Sequence, residues 1–115
     1  MSRETPLFAK TYDLLVYLLP AAEKFPRSQR VVLGRRISEI SLGFLDLLIK
    51  ARKTPAKKRG ALLRQADVEL DRLRYTVRLC RDLELLTQKQ YRYASGLLAE
   101  VGRLLGTWLK RYNNA

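Results

Sequence analysis

The chain has 115 residues and a mass of 13.3 kDa, which fits one domain spanning 1–115 and excludes a multidomain enzyme. It contains no histidine and one cysteine, so a single chain cannot assemble a His/Cys metal site or a Ser-His-Asp or Cys-His catalytic set. Lysine and arginine number 23 against 11 acidic residues, a net charge of +12, which makes polyanions the first partner class to test.

The first predicted element is a helix over residues 6–24. Its apolar seam steps by 4, 3, 4 and 3 residues through Phe8, Tyr12, Leu15, Leu19 and Ala22. Thr5 is placed as the N-cap and Pro6 as the first helical residue. Pro20 lies inside this helix, so we expect a kink or a break near residues 16–20.

Two longer helices are predicted next. The second covers residues 28–52, with a seam formed by Leu33, Ile37, Ile40, Phe44 and Leu47. The third covers residues 55–84 and begins at Thr54-Pro55, a cap followed by a first-turn proline. Its seam consists of Leu63, Ala66, Leu70, Leu73, Val77 and Cys80. Cys80 on this seam is interpreted as a small buried hydrophobic residue.

The fourth predicted helix covers residues 87–112. It begins with a capping box, Thr87 followed three residues later by Gln90. Its core stripe consists of Ala94, Leu97, Val101, Leu104 and Trp108. Without any strand pattern, four helices with short connections predict an all-α fold, an antiparallel up-down-up-down four-helix bundle.

The sequence also predicts where the protein resides. The apolar run 14–19 is short and ends at Pro20, and the run 42–49 is interrupted by Asp46, so neither is a membrane span or a signal peptide. A single cysteine cannot form an intrachain disulfide, which is compatible with a reducing compartment. We therefore expect a soluble cytoplasmic protein without a membrane partner.

Two features predict contacts beyond one bundle. The first two helices carry apolar residues outside their seams: Leu14, Val16, Tyr17, Leu18, Val32, Leu42, Leu45, Leu48 and Ile49. Part of this surface is expected to need another subunit. On the fourth helix a stripe of small residues consists of Ser95, Ala99, Gly102 and Gly106. Glycine inside a helix costs up to about 1 kcal/mol, so the stripe predicts close approach of another backbone, between subunits or within the bundle.

The cations cluster in three places, and these are the candidate binding residues. The first group, at the start of the second helix, consists of Arg27, Arg30, Arg35 and Arg36. The second, around the turn between the second and third helices, consists of Lys50, Arg52, Lys53, Lys57, Lys58 and Arg59. The third lies on one face of the third helix and consists of Arg74, Arg78 and Arg81, with Tyr75 beside them. We expect Lys110 and Arg111 to join the second group.

Lys57, Lys58 and Arg59 are unusual at the start of a helix. Cations there oppose the positive end of the helix dipole, which favours acidic residues. A bound phosphate would reverse the sign of that interaction. One interpretation is therefore polyanion binding by the cluster, and the other is a frayed turn around Gly60 with solvated lysines.

Three stretches carry a resemblance to a known family: 24–37 (KFPRSQRVVLGRRI), 81–91 (RDLELLTQKQY) and 102–110 (GRLLGTWLK). In pattern and order the chain resembles the accessory variability determinant (Avd) family of diversity-generating retroelements. The resemblance implies a four-helix bundle that assembles into a pentameric barrel. It further implies a non-catalytic accessory protein that needs no cofactor, binds RNA or DNA and partners the element's reverse transcriptase in mutagenic copying of a template RNA.

Other functions fit the same residues. The bundle proteins encoded in intervening sequences of 23S ribosomal RNA share the implied fold, but the uninterrupted helical stretch 38–45 favours Avd. A structural or adaptor bundle without a nucleic-acid role is the second alternative, and it predicts no retention of nucleic acid at physiological salt. The basic clusters could equally contact an acidic surface of the polymerase. An enzyme is not expected, because acids such as Asp67 and Asp71 lie beside arginines, where ion pairing explains them.

Overall fold

The computed structural model describes residues 5–112, which form four helices and contain no strand. We number them α1 to α4. The bounds are α1 Thr5–Glu23, α2 over residues 27–53, α3 Ala56–Asp82 and α4 Gln88–Leu109, with a 3-10 turn at Lys110–Tyr112. Helix α2 consists of Arg27–Gln29, a π-helical turn at Arg30–Gly34 and an α-helical part at Arg35–Lys53. The four predicted helices are therefore confirmed, with ends shifted by three residues or fewer.

The helices pack as a bundle 44 Å long and 23 Å wide in each cross direction. Helix α1 packs on α2, α2 on α3, α3 on α4 and α4 back on α1. At one end the Phe8 ring of α1 lies 6.5 Å from the Trp108 ring of α4, between ring centroids. Further along the bundle, the Tyr17 and Tyr93 rings lie 4.5 Å apart. Contacts between the start of α1 and the end of α4 are those expected of an up-down arrangement.

The predicted seam of α3 is confirmed: all six of its residues, Leu63 to Cys80, are fully buried. The predicted seam of α1 is confirmed only in part. Leu15 and Ala22 are buried, but Tyr12 is 65% exposed. The core also includes Leu7, Thr11, Leu14 and Leu18, which lie outside the predicted seam. The centre of the buried face is displaced toward the residues one position earlier, a rotation of less than about 100°. The run 14–19 is apolar on every side of the helix, so periodicity there does not select one face.

The second and fourth seams are confirmed in part. Leu47, Leu97 and Leu104 are only partly buried, and the residue that follows each of them is buried instead: Leu48, Leu98 and Leu105. Of the flanking apolar residues, Leu14, Leu18 and Leu48 belong to the core. Val16, Val32 and Leu42 stay exposed, by 57%, 61% and 45%. Three of the nine flanking residues are therefore buried within the subunit and cannot contact a second one.

The helix ends agree with the sequence in one case and differ in others. The capping box of α4 is confirmed, since the Gln90 amide donates to the Thr87 hydroxyl at 3.0 Å and the Thr87 amide donates to the Gln90 side chain at 2.9 Å. The predicted Thr54 cap of α3 is wrong: Pro55 occupies the N-cap position, and the Thr54 hydroxyl donates back to the Lys50 carbonyl at 2.6 Å. Helix α1 continues through Pro20 to Glu23 without a break.

The π-helical turn in α2 is not predicted by the sequence pattern. It adds one residue to the turn, so that Leu33 and Gly34 are both buried while Val31 and Val32 face outward. A β-carbon on Gly34 would lie 3.1 Å from the Ala22 carbonyl oxygen at the end of α1. Glycine at position 34 therefore permits the start of α2 to approach the end of α1 closely. None of the helices within residues 5–112 combines the length and apolar character needed to cross a bilayer.

Candidate nucleic-acid interface

The turn between α2 and α3 places five exposed cations at one end of the bundle. We call Lys50, Arg52, Lys53, Lys57 and Lys58 the turn cluster. Lys50, Arg52 and Lys53 lie in the last turn of α2, where they interact favourably with the negative end of the helix dipole. Lys57 and Lys58 lie in the first turn of α3, which has no acidic residue and no side-chain cap. Among the described residues, no member of the turn cluster forms an ion pair.

The end of α4 lies beside the turn cluster. The Arg59 side chain donates to the Tyr112 hydroxyl at 2.9 Å, so the turn at Lys110–Tyr112 lies against the start of α3. Arg52 places its guanidinium carbon 4.2 Å from the centre of the Phe8 ring, a cation–π contact. Arg52 remains exposed in this position, so the contact orients the side chain without withdrawing its charge from the surface.

Arg59 differs from its neighbours because its donors are used inside the fold. Its guanidinium donates to the carbonyl oxygens of Ala51, Thr54 and Arg52 at 2.7, 2.8 and 3.4 Å. The Ala51 and Arg52 carbonyls lie in the last turn of α2, and the Thr54 carbonyl lies in the turn that follows. The Ala51 carbonyl also accepts from the Thr54 amide at 3.2 Å. Carbonyls at a helix C-terminus lack the usual intrahelical partners, so the guanidinium supplies donors that the backbone does not. Arg59 therefore positions the turn cluster and ties it to α4 through Tyr112. The sequence shows its charge but not these acceptors.

We predict that Arg59→Lys destabilises the protein by about 2 kcal/mol although the charge is kept, because one ammonium cannot reproduce four hydrogen bonds of a planar guanidinium. Urea unfolding followed by the fluorescence of the buried Trp108 measures the change. Arg92→Lys, at an exposed position on α4, serves as the matched control and should leave the unfolding midpoint unchanged. Equal midpoints for both variants would contradict this role of Arg59.

The opposite end of the bundle carries Arg27, Arg30, Arg35 and Arg36, all exposed. Arg30 donates to the Glu23 carbonyl at 3.5 Å, and Arg35 pairs with Glu39 at 2.9 Å. Arg36 reaches across to α3, where it donates to the Thr76 hydroxyl at 3.4 Å. The structure thus brings Arg30 to the end of α1 and directs Arg36 toward the α2–α3 side. An exposed ion pair such as Arg35–Glu39 is weak, and so are the long hydrogen bonds of Arg30 and Arg36. The arginines therefore remain available to bind an anion.

The arginines of α3 line a groove between α3 and α4. The groove has a volume of about 400 Å³, and its lining includes Arg74, Tyr75 and Arg78 from α3 and Tyr91 from α4. Arg74 pairs with Asp71 at 2.6 Å. Arg81, beyond the end of the groove, pairs with Asp82 at 2.8 Å and covers the Tyr91 ring at 4.3 Å from its centre. Arg78 has no hydrogen bond or ion pair with the part of the chain that the structure describes.

The small residues of α4 divide between different surroundings. Ser95 and Ala99 line the groove opposite the arginines. A β-carbon on Gly102 would meet the guanidinium at the flexible end of the Arg74 side chain, so the Arg74 side chain lies over Gly102. A β-carbon on Gly106 would meet no atom within 4 Å. Tyr91 precedes Ser95 by four residues, so the stripe extended by one helical turn would have identified this tyrosine as part of the same face.

The pKa values of several side chains are shifted, and each shift has a simple cause. Burial raises the pKa of the Cys80 thiol to about 11, so this thiol is protonated at neutral pH and unreactive. Burial, and then the neighbouring Tyr93, raise the pKa of Tyr17. The hydrogen bond and the charge of Arg103 lower the pKa of Glu100. Residues 5–112 contain no group of three or more metal-binding side chains.

Comparison with known proteins assigns the family. A family model described as bAvd-like matches residues 7–112, which take in nearly all of the four helices and both basic ends. Comparison with curated proteins gave no match. Because the matched range covers most of the sequence, the chain belongs to the bAvd-like family, that of the accessory variability determinants.

Proposed function

We propose that this protein is a non-catalytic accessory subunit of a diversity-generating retroelement that binds the template RNA or its cDNA copy and the element's reverse transcriptase. Membership of the family supports the accessory role. The observation that carries the nucleic-acid part is the turn cluster, five exposed cations without an acidic partner among the described residues. Evenly spread charge would serve solubility equally well, whereas a cluster concentrates positive potential at one end.

The first turn of α3 explains why a phosphate fits this end. Lys57 and Lys58 add positive charge to a helix N-terminus that is already positive, and no acidic side chain there compensates. A phosphate group placed against this turn would interact favourably with both lysines and with the helix dipole. Such contacts are to the backbone of a nucleic acid, so they give affinity that depends on salt and little sequence preference.

A titration with labelled RNA over a series of salt concentrations tests this proposal. Fluorescence anisotropy should show an association constant that falls linearly with salt on logarithmic axes, because each phosphate contact releases counterions. Duplex DNA of the same length provides the comparison for nucleic-acid type. Affinity that does not change with salt, or no binding at physiological salt, would contradict the proposal and favour an adaptor bundle.

In this proposal the reverse transcriptase and the nucleic acid can bind to the same basic clusters. Both the turn cluster and the arginines at the start of α2 offer cations to an acidic polymerase surface. Charge reversal of each group, scored separately for RNA binding and for polymerase capture, assigns one partner to each end. A variant that loses both partners together would show that the polymerase is held through the nucleic acid.

We also propose that the subunits assemble into a pentamer. Five chains would carry 5 × 12 = +60, a charge that a particle holds most easily with acidic partners bound. The exposed Val16, Val32 and Leu42 provide apolar surface for the contact. Gly106, whose α-carbon faces open space, provides a position where another backbone can approach.

A matched pair of glycine substitutions tests the Gly106 contact. Within one subunit, Gly96→Ala and Gly106→Ala should each stabilise α4 by up to about 1 kcal/mol, because neither new β-carbon meets an atom within 4 Å. If another subunit lies against Gly106, its alanine variant lowers the particle mass measured by light scattering while the Gly96 variant does not. Equal masses and equal stabilisation for both variants would show that Gly106 is not at the contact.

A further inference from the structure

The groove between α3 and α4 combines side chains that recognise unpaired nucleotides. Tyr75 is 70% exposed at its edge, and Tyr91 lines its wall. Ser95 and Ala99 contribute little bulk on the α4 side, which leaves a volume of about 400 Å³. This volume falls in the range of roughly 300–1,000 Å³ typical of small-ligand pockets. Aromatic rings beside open space are the usual platforms on which proteins stack the bases of single strands.

The charges of the groove favour one phosphate and not an extended duplex backbone. Asp71 pairs with Arg74 and Asp82 with Arg81, so an adjacent carboxylate offsets part of the charge of each of these two arginines. Arg78 keeps its full charge and lies one helical turn from Arg74 on the same face. A duplex bound by its backbone needs several phosphate contacts, whereas a nucleotide with a stacked base needs one. The turn cluster is the better site for a duplex, because none of its cations is paired.

We infer that this groove binds an unpaired nucleotide of RNA or cDNA, whose base stacks on Tyr75 and whose phosphate pairs with Arg78. The inference rests on the proposed nucleic-acid function and adds a second site with a different preference. It also assigns Ser95 and Ala99 to the ligand and not to a subunit contact. The turn cluster then supplies general affinity, and the groove distinguishes single strands from duplexes.

Tyr75→Leu in the full chain tests the stacking contact. A labelled single-stranded 12-mer and a duplex of the same length are titrated by fluorescence anisotropy at several salt concentrations. We expect Tyr75→Leu to weaken single-strand binding about tenfold, the size typical of removing one stacking ring, with duplex binding changed less than twofold. The slope of affinity against salt should stay at its wild-type value, because no charge is removed. Tyr12→Leu, which removes an equally exposed tyrosine from α1, should change neither affinity.

Ala99→Leu provides a second test that keeps every charge and fills the groove. It should reduce single-strand binding as Tyr75→Leu does, while the particle mass measured by light scattering is unchanged. A lower mass would assign this face to a second copy of the chain and overturn the inference. Wild-type affinity in both variants, or an equal loss on the duplex, would also overturn it while leaving the proposed function intact. Failure of the wild-type protein to bind either nucleic acid would overturn both.

Discussion

Replacing Lys50, Lys53, Lys57 and Lys58 with glutamate should weaken RNA binding by at least about 100-fold at 0.1 M salt. Each phosphate contact to a single strand contributes roughly 0.7 to the slope of log affinity against log salt, so losing four lowers the slope by about 3. The four lysines are exposed and, within residues 5–112, form no ion pair, so their loss breaks no contact of that kind. Anisotropy titrations of the wild-type and variant proteins at four salt concentrations measure both quantities.

A smaller matched pair separates position from total charge. Lys57→Glu with Lys58→Glu and Lys89→Glu with Arg92→Glu each lower the net charge by four. Both pairs are exposed, and both lie near the start of a helix, α3 or α4. We expect the double variant in α3 to lose most of its RNA affinity and the double variant in α4 to lose little. Equal losses would show that only the overall charge matters and that the turn cluster is not a site.

The double variant Lys57→Glu with Lys58→Glu should be more thermally stable than the wild-type protein although it binds RNA more weakly. Two acidic residues in the first turn of α3 interact favourably with the positive end of its dipole, where two lysines interact unfavourably. Opposite changes in stability and binding would indicate that these lysines serve a ligand at some cost to the fold. A variant that loses both together would point instead to local unfolding of the turn.

Periodicity predicted the core where polar residues separate the apolar ones. In α3, charged residues alternate with the seam, and every seam residue from Leu63 to Cys80 is buried. In α1 the run 14–19 offers an apolar residue in every direction, so packing against α2 and α4 decides that Tyr12 faces outward and Leu14 inward. The sequence thus defines a helix in both cases but defines its buried face only in the first.

The candidate site was predictable as a set of charges but not as a geometry. The turn cluster follows from sequence proximity, because its members flank one short turn. The acceptors of Arg59 and the position of Arg74 over Gly102 depend on contacts between segments that are distant in sequence. The groove requires α3 and α4 to pack in one register, which places Tyr91 near Arg78. The π-helical turn likewise lies at a contact between separate helices, where Gly34 approaches the end of α1.

Leu48→Ala should destabilise the protein far more than Leu42→Ala, although both residues belong to the apolar surplus of α2. Leu48 is fully buried, whereas Leu42 is 45% exposed. Removing a fully buried leucine costs roughly 2–5 kcal/mol, through lost burial and the cavity left behind. A typical domain has only about 5–15 kcal/mol of stability, so Leu48→Ala would consume a large part of it. Leu42→Ala should cost less than about 1 kcal/mol within a single subunit.

Urea unfolding at several protein concentrations measures both variants and also tests the proposed assembly. A core leucine contributes at every concentration, so the loss in Leu48→Ala should not depend on concentration. A leucine covered by another subunit contributes only when the particle is assembled, because mass action links stability to concentration. A Leu42→Ala deficit that grows with protein concentration would therefore locate Leu42 at a subunit contact. Equal, concentration-independent losses in both variants would contradict the difference in burial that separates the two leucines.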